Sequence, residues 1–342
     1  MGKPLLAGDI AEAVLRSEYF VTRNASQVEL VESSNRPASS VFQIRVHLDP
    51  TPGLFWVKIR PAGSLGSGEG EGEFLERARD AFDGLAELSV PNPVAYLPDF
   101  DAVVTEDVEG VSLNRLIKKS LNRLTIRFSD LDKFERHFQR CGGWLAILHS
   151  HVHPMGKTFE SKILREYVDV RLARLEAIGS LDSVFRERVI RYLDSLLPRI
   201  EPEALARVWT HGDFAPYNVV VTPERLVVLD PDIGGYFAKL GNYCSRYEDI
   251  VHFHRFTQAM SMSSRMIAAS VRKRLSKTFL TSYAAAGGPE LSESSAAFRA
   301  FRLKYELLEV TGMQWPSVLG RLTSQRLRVR RFRRWFDAAC LG

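Results

Sequence analysis

The stretch Thr210–Asp232, T-H-G-D-F-A-P-Y-N-V-V-V-T-P-E-R-L-V-V-L-D-P-D, decides the fold. Its two valine-rich runs, 219–221 and 225–230, are separated by Thr-Pro-Glu, the composition of a tight turn between antiparallel strands. A hairpin closed there brings Asn218, at its start, beside Asp230, at its end. Asp213 sits in the preceding loop, where Pro216 bars a continuing helix. Two carboxylates and a carboxamide are thus gathered at one mouth of a short apolar hairpin.

Asp and Asn oxygens are the hard ligands that Mg²⁺ accepts, with water and substrate phosphates completing the shell. A further Asp not needed by the metal can orient or deprotonate an attacking hydroxyl. That combination suits phosphoryl transfer from a metal-bound nucleotide.

The element H-G-D-F-A-P-Y-N, with V-V-L-D-P-D twelve residues on, resembles the catalytic and metal-binding loops of the aminoglycoside phosphotransferase and choline kinase-like family. The resemblance implies a bilobal protein-kinase-like α+β fold and ATP with Mg²⁺ as cofactors. It places Asp213 on the acceptor hydroxyl, Asn218 and Asp230 on the metal, and His211 as a brace of the loop. Pro231 and Asp232 follow Asp230 where family members often carry an aromatic residue. Asp232 is then either a second-metal ligand or an outward turn residue.

A kinase also needs a strand-borne lysine for the α/β phosphates and a helix glutamate to pair with it. In Leu54–Pro61, L-F-W-V-K-I-R-P, strand alternation sets Lys58 on the face opposite Val57 and Ile59. The following helix, expected over 73–88, offers Glu76 or Glu73, with Glu76 preferred. The phosphate-covering turn falls at 32–40, E-S-S-N-R-P-A-S-S. It holds no glycine, so Ser34, Asn35, Ser39, Ser40 and backbone amides would cradle the phosphates. The glycine-rich 63–73 follows Lys58 and is read as a flexible linker. By resemblance, main-chain groups of Glu106 and Val108 meet the adenine at a hinge, and Asp249 in Y-E-D-I-V-H-F steadies the catalytic loop. The likeness extends over about residues 27–255.

Strand signals crowd the first part of the chain and helical periodicity the rest, so the expected organisation is an N-lobe over 1–105, a hinge at 106–112 and a helical C-lobe over 113–342. With 342 residues, 45% of them hydrophobic and 25% charged, the chain can bury a sizeable core. Its longest uncharged stretch, Cys141–Gly156, contains three histidines and a proline, which is no membrane span. The start M-G-K-P-L-L-A-G lacks a signal-peptide core, and a cytoplasmic protein is expected. Cys141, Cys244 and Cys340 have no metal-ligand spacing.

The net charge of +5 is unevenly spread: residues 321–334 hold seven arginines and no acid, followed by Trp335 and Phe336. This basic 321–336 segment is either a solvated helix paired with surface acids or a dock for anionic lipid at the inner face of a membrane. No groove-reading motif accompanies it, which disfavours nucleic acid as a partner. A basic C-terminal region also suits an acidic-pocket aminoglycoside kinase poorly. A neutral or anionic hydroxyl compound, such as a sugar or a lipid-linked glycan, is the expected acceptor. The rival reading is a kinase-like nucleotide-binding regulator without turnover.

Overall fold

The computed structural model describes residues 7–36, 39–61, 66–120, 128–233, 242–259, 268–311 and 318–341. Five strands form an antiparallel sheet in the order β1 (Gln27–Arg36), β2 (Ser39–His47), β3 (Gly53–Ile59), β6 (Ala102–Glu106), β5 (Pro93–Leu97). Alternation along β3 buries Phe55, Val57 and Ile59 on one face, where α1 (Ala7–Arg16) and α2 (Glu18–Val21) add Ile10, Val14 and Phe20. Lys58 therefore points to the other face, as its position in the strand predicts.

Two expectations about this half need correction. The segment 32–40 is not an open loop, because β1 and β2 pair through it: Ser34 lies opposite Val41 and Asn35 opposite Ser40. Extending the ladder satisfies backbone groups that a wide loop would leave to water, and only positions 37 and 38, outside the described residues, connect the strands. The glycine-rich 63–73 is likewise not simply a linker. Its described part opens α3 (Gly68–Ala81), capped by Ser67, whose hydroxyl accepts from the Gly70 amide at 3.0 Å. Glu69 and Glu71 in the first turn suit the helix dipole. Gly68 serves close packing: a Cβ there would meet the Asp101 carbonyl oxygen at 2.5 Å.

In the second half, β9 (Val219–Val221) and β10 (Leu226–Val228) form the expected hairpin, with Val221 opposite Leu226. The hairpin is flanked by β4 (Leu88–Ser89), parallel to β10, and β7 (Val111–Ser112), antiparallel to β9. A separate pair joins β8 (Arg207–Trp209) to β11 (Tyr243–Ser245). Around them stand α4 (Leu113–Ser120), α5 (Phe128–His149), α6 (Ser161–Ala177), α7 (Ser183–Leu196), α8 (Tyr247–Ala259), α9 (Ala269–Ala285), α10 (Ala296–Thr311) and α11 (Val318–Leu341). Helix α5 runs through the main core, burying Phe138, Trp144, Leu145 and Leu148 completely. Its Gly142 admits α9, since a Cβ there would stand 2.6 Å from the Phe279 carbonyl oxygen.

The basic segment folds as α11. It packs Val329, Phe332 and Phe336 into the core, with Phe185 of α7 edge-on to Phe336 at 5.3 Å. Arg333 pairs with Asp182 at 2.7 Å and Arg331 with Glu309 at 3.6 Å, so part of the run is structural. Arg326, Arg330 and Arg334, one helical turn apart, remain exposed. Among the described residues no helix is long and apolar enough to cross a membrane. The architecture is α+β, with a sheet-rich N-terminal part and a helical C-terminal part.

Candidate active site

The loop from Thr210 to Asn218 leaves β8 and enters β9, held from beneath by one buried carboxylate. Asp249, in the first turn of α8, accepts the His211 amide on Oδ2 and the Gly212 amide on Oδ1, each at 2.7 Å. The same Oδ2 lies 3.1 Å from His149 Nε2, and His149 Nδ1 lies 3.0 Å from the Tyr283 hydroxyl. Burial would raise the Asp249 pKa, but His149 and the loop amides hold it below the ordinary value. Gly212 has φ +83°, and a Cβ there would crowd Asp232 at 3.0 Å, so the turn requires glycine.

His211 ties the loop to the hairpin: its Nε2 is 2.9 Å from the Leu229 carbonyl, and its Nδ1 accepts the Asp213 amide at 3.3 Å. Burial keeps its pKa below the ordinary value, so a neutral, bracing ring results. Asp213 emerges with its carboxylate 35% exposed. Tyr217 donates its hydroxyl to Oδ1, and Asn218 Nδ2 donates to Oδ2 at 2.9 Å and to the Asp213 carbonyl at 3.0 Å. Burial pushes the Asp213 pKa up to about 7, against the pull of Tyr217 and with a push from Asp232.

Across the hairpin mouth, Leu229 donates its amide to the Asn218 carbonyl at 2.8 Å, which sets Asp230 next to Asn218. Asp230 takes a left-handed φ of +56°, a conformation costly for a non-glycine residue and common where function needs it. Because the Asn218 amide nitrogen is spent on Asp213, its amide oxygen is the atom left for a cation. With the Asp230 carboxylate it makes a hard oxygen pair that fits Mg²⁺.

From the sheet, Lys58 Nζ reaches Glu71 Oε1 at 2.8 Å and Asp230 Oδ1 at 3.2 Å. Burial alone would depress this ammonium, yet Glu71 and Asp230 hold its pKa above the usual lysine value. The expected partner Glu76, like Glu73, is exposed on the outer side of α3. With 3.6 residues per turn, Glu71, Leu75 and Ala78 share the inward face, which turns 73 and 76 outward. Arg60, two residues on from Lys58 and just past the end of β3, binds the second Glu71 oxygen at 2.7 Å. Glu71 and Arg60 were both missed: the first because its glycine neighbours read as linker, the second although its same-face spacing from Lys58 was visible.

Ser34, Ser39 and Ser40 stand on the paired ends of β1 and β2, with Ser34 exposed and Ser39 buried. Asn35 is paired there as well. In the segment expected as a hinge, the Glu106 amide donates to the Asn92 carbonyl at 3.0 Å and the Asp107 amide to the Leu54 carbonyl at 3.0 Å. The Glu106 carboxylate accepts the Tyr19 hydroxyl at 3.0 Å, and Val108 is half-buried just beyond.

Beyond Asp213 opens a cavity of about 270 Å³. Three helices line it: Tyr167 and Arg171, one turn apart, from α6, Glu248 and His252, one turn apart, from α8, and the adjacent Lys304 and Tyr305 from α10. Lys304 and Tyr305 both donate to Glu248 Oε1, the tyrosine at 2.7 Å. His252 stacks on Tyr305 at 4.5 Å, and burial with nearby Lys304 pushes its pKa down to about 3. None of these six was foreseen, because the positions are scattered through the chain and adjacent only once the helices pack.

A lysine–glutamate pair facing an Asp-Asn-Asp loop across a two-part fold defines a kinase-like phosphotransferase. A profile of the phosphotransferase enzyme family matches residues 40–236, more than half of the 342-residue chain, and the protein belongs to that family. Solved structures share its fold across nearly the whole length. An aminoglycoside phosphotransferase, solved with streptomycin and ATP, is 13% identical with a TM-score of 0.55, covering 96% of this chain and 97% of its own. A glucosamine kinase is 12% identical with a TM-score of 0.53, over 97% and 99% of the two chains. A choline/ethanolamine kinase family protein from Mesorhizobium loti is 15% identical with a TM-score of 0.53, over 98% and 100%. No curated protein matches the chain by sequence.

Proposed function

We propose that the protein transfers the γ-phosphoryl group of ATP to a hydroxyl of a small molecule, a saccharide in particular. The observation carrying this reading is the position of Asp213 between two spaces. On one side lie Asn218, Asp230 and Lys58, and on the other the 270 Å³ cavity. Asp213 accepts the proton of the acceptor hydroxyl as its oxygen turns toward phosphorus. Lys58, fixed by Glu71, neutralises phosphate charge, and Arg60 on the same carboxylate keeps Glu71 in place. Asn218 and Asp230 would hold Mg²⁺, which when bound offsets negative charge on the phosphates. The adenine lies against the hinge at Glu106 and Val108, and the paired strand ends bearing Ser34, Asn35, Ser39 and Ser40 cover the phosphates. A solved relative bound to ATP supports the nucleotide, and a glucosamine kinase supports a saccharide, though not its charge, as the acceptor class.

Asp213→Asn tests the assignment, measured as ATP-dependent phosphate incorporation into a hydroxyl-compound panel by mass spectrometry. Loss of general-base help should slow transfer by about 10²–10⁴-fold. Equal transfer by wild type and variant would favour the regulatory, non-catalytic reading. The outer stripe Arg326, Arg330 and Arg334 is the part of α11 available to an anionic surface. Failure to co-sediment with anionic liposomes would remove the lipid-linked glycan from the acceptor list.

A further inference from the structure

We infer that the acceptor is an uncharged polyol of monosaccharide size, and that Glu248, His252 and Arg171 select it through its vicinal hydroxyls. This rests on the phosphotransferase reading and names the substrate class of the same site.

Three buried polar atoms on the cavity residues lack a hydrogen-bond partner among the described residues: Glu248 Oε2, His252 Nδ1 and Arg171 Nε. Glu248 is 4% and His252 9% exposed, so neither group can rely on bulk water. The Glu248 carboxylate is fixed by Lys304 and Tyr305 on Oε1, which leaves Oε2 as a pure acceptor. Arg171 is anchored through Nη1 to the Thr311 hydroxyl at 2.7 Å and lies over Tyr167 at 4.2 Å, which leaves Nε as a pure donor. His252 Nδ1 stands 3.5 Å from Asp213 Oδ1, so it borders the place where the reacting hydroxyl must lie.

A set holding both acceptor and donor suits hydroxyls, each of which gives one hydrogen bond and takes others. Ammonium groups, which only donate, would find Glu248, Asp213 and Asp232 but also face Lys304 and Arg171 in the same wall. A carboxylate or phosphate would find those cations but face Glu248, Asp213 and Asp232. Neither sign of charge is favoured along the whole wall. The size suits a small acceptor, since about 270 Å³ lies near the ~300 Å³ lower end of ligand pockets and has room for one sugar ring.

The test uses the full chain with matched neutral, amino and acidic hexoses, plus a polyamine aminoglycoside. Saturation-transfer NMR reads binding without nucleotide, and mass spectrometry reads phosphate transfer with ATP and Mg²⁺. Neutral hexoses should bind and be phosphorylated. Glu248→Gln and Arg171→Met should each raise acceptor KM roughly tenfold or more, a larger change than in kcat. Because Glu248→Gln leaves Lys304 buried without its anion, Glu248→Gln/Lys304→Met removes both charges and should show the same KM rise if the fold tolerates the single change poorly. Preference for the amino or acidic sugar, no binding of any neutral sugar, or unchanged KM in both single variants overturns the acceptor assignment. Neutral sugars that bind but gain no phosphate overturn the transferase reading instead and leave the pocket assignment standing.

Discussion

Tyr217 donates its hydroxyl to Oδ1 of Asp213, the atom that an acceptor hydroxyl would have to approach. The phenol is 38% exposed and braced edge-on against Phe256 at 5.2 Å, so it can swing away when an acceptor arrives. Its hydrogen bond stabilises the carboxylate, opposing the burial that lifts the Asp213 pKa to about 7. A base works only when deprotonated, so acceptor kcat/KM should rise with pH through about 7. In Tyr217→Phe that supporting bond is gone, and the rising limb should move to higher pH. A pH–rate profile of both proteins checks the direction.

Glu71 rather than Glu76 should be the residue whose loss disables nucleotide use. Glu71→Ala leaves Lys58 and Arg60 together without their shared anion, a change of the kind that costs about 3–5 kcal/mol in buried sites. Its melting temperature and kcat/KM for ATP should both fall sharply. Glu76→Ala, on the exposed side of α3, should match wild type in both.

Asp249→Ala removes the acceptor for two loop amides and the partner of buried His149. Each amide left unsatisfied costs about 1–3 kcal/mol. Displacing Asp213 by as little as an ångström should slow transfer about 10²-fold. Asp249→Asn keeps one carbonyl acceptor, so its activity and thermal stability should lie between those of wild type and the alanine variant.

Acidification should unfold the protein early. Burial lowers the pKa of His137, to about 4, of His252, to about 3, and also of His149, His211 and His254. Each stays neutral in the fold but takes a proton at about pH 6.5 once unfolded. The unfolded state therefore binds more protons below pH 6.5, and His137 and His252 each remove about 1.4 kcal/mol per pH unit between there and their folded values. The raised carboxyls of Asp213 and Glu248 work in the opposite sense and offset part of the loss. Thermal melts from pH 7.5 to 5 should show a falling midpoint.

The hairpin, Lys58 and the Asp249 brace were legible because each depends on short-range pattern: a turn between valine runs, strand alternation, a fixed motif. Glu71 was obscured by local composition. Glycines at 68, 70 and 72 suggest flexibility, and only the approach of Asp101 to Gly68 shows that they permit packing. The phosphate-covering segment misled for a related reason, since Ser and Asn favour turns locally while the β1–β2 ladder carried them into strands. The cavity beside Asp213 was invisible, because Tyr167, Glu248 and Lys304 meet only through the packing of three helices.

Helix α3 has aromatic contacts that reach across the molecule. Phe74 packs on Trp209 at 4.7 Å, and Phe82 stacks on Trp144 at 4.9 Å, which in turn stacks on Phe214 of the catalytic loop at 5.3 Å. Glu71, the partner of Lys58, is thereby carried on an element tied through Trp144 to the loop that holds Asp213. Swinging α3 outward to idle the enzyme would undo these contacts, each worth about 0.5–1.5 kcal/mol beyond its buried area. The ion pair of Lys58 and the side chain of Asp213 are thus positioned by one continuous packed core.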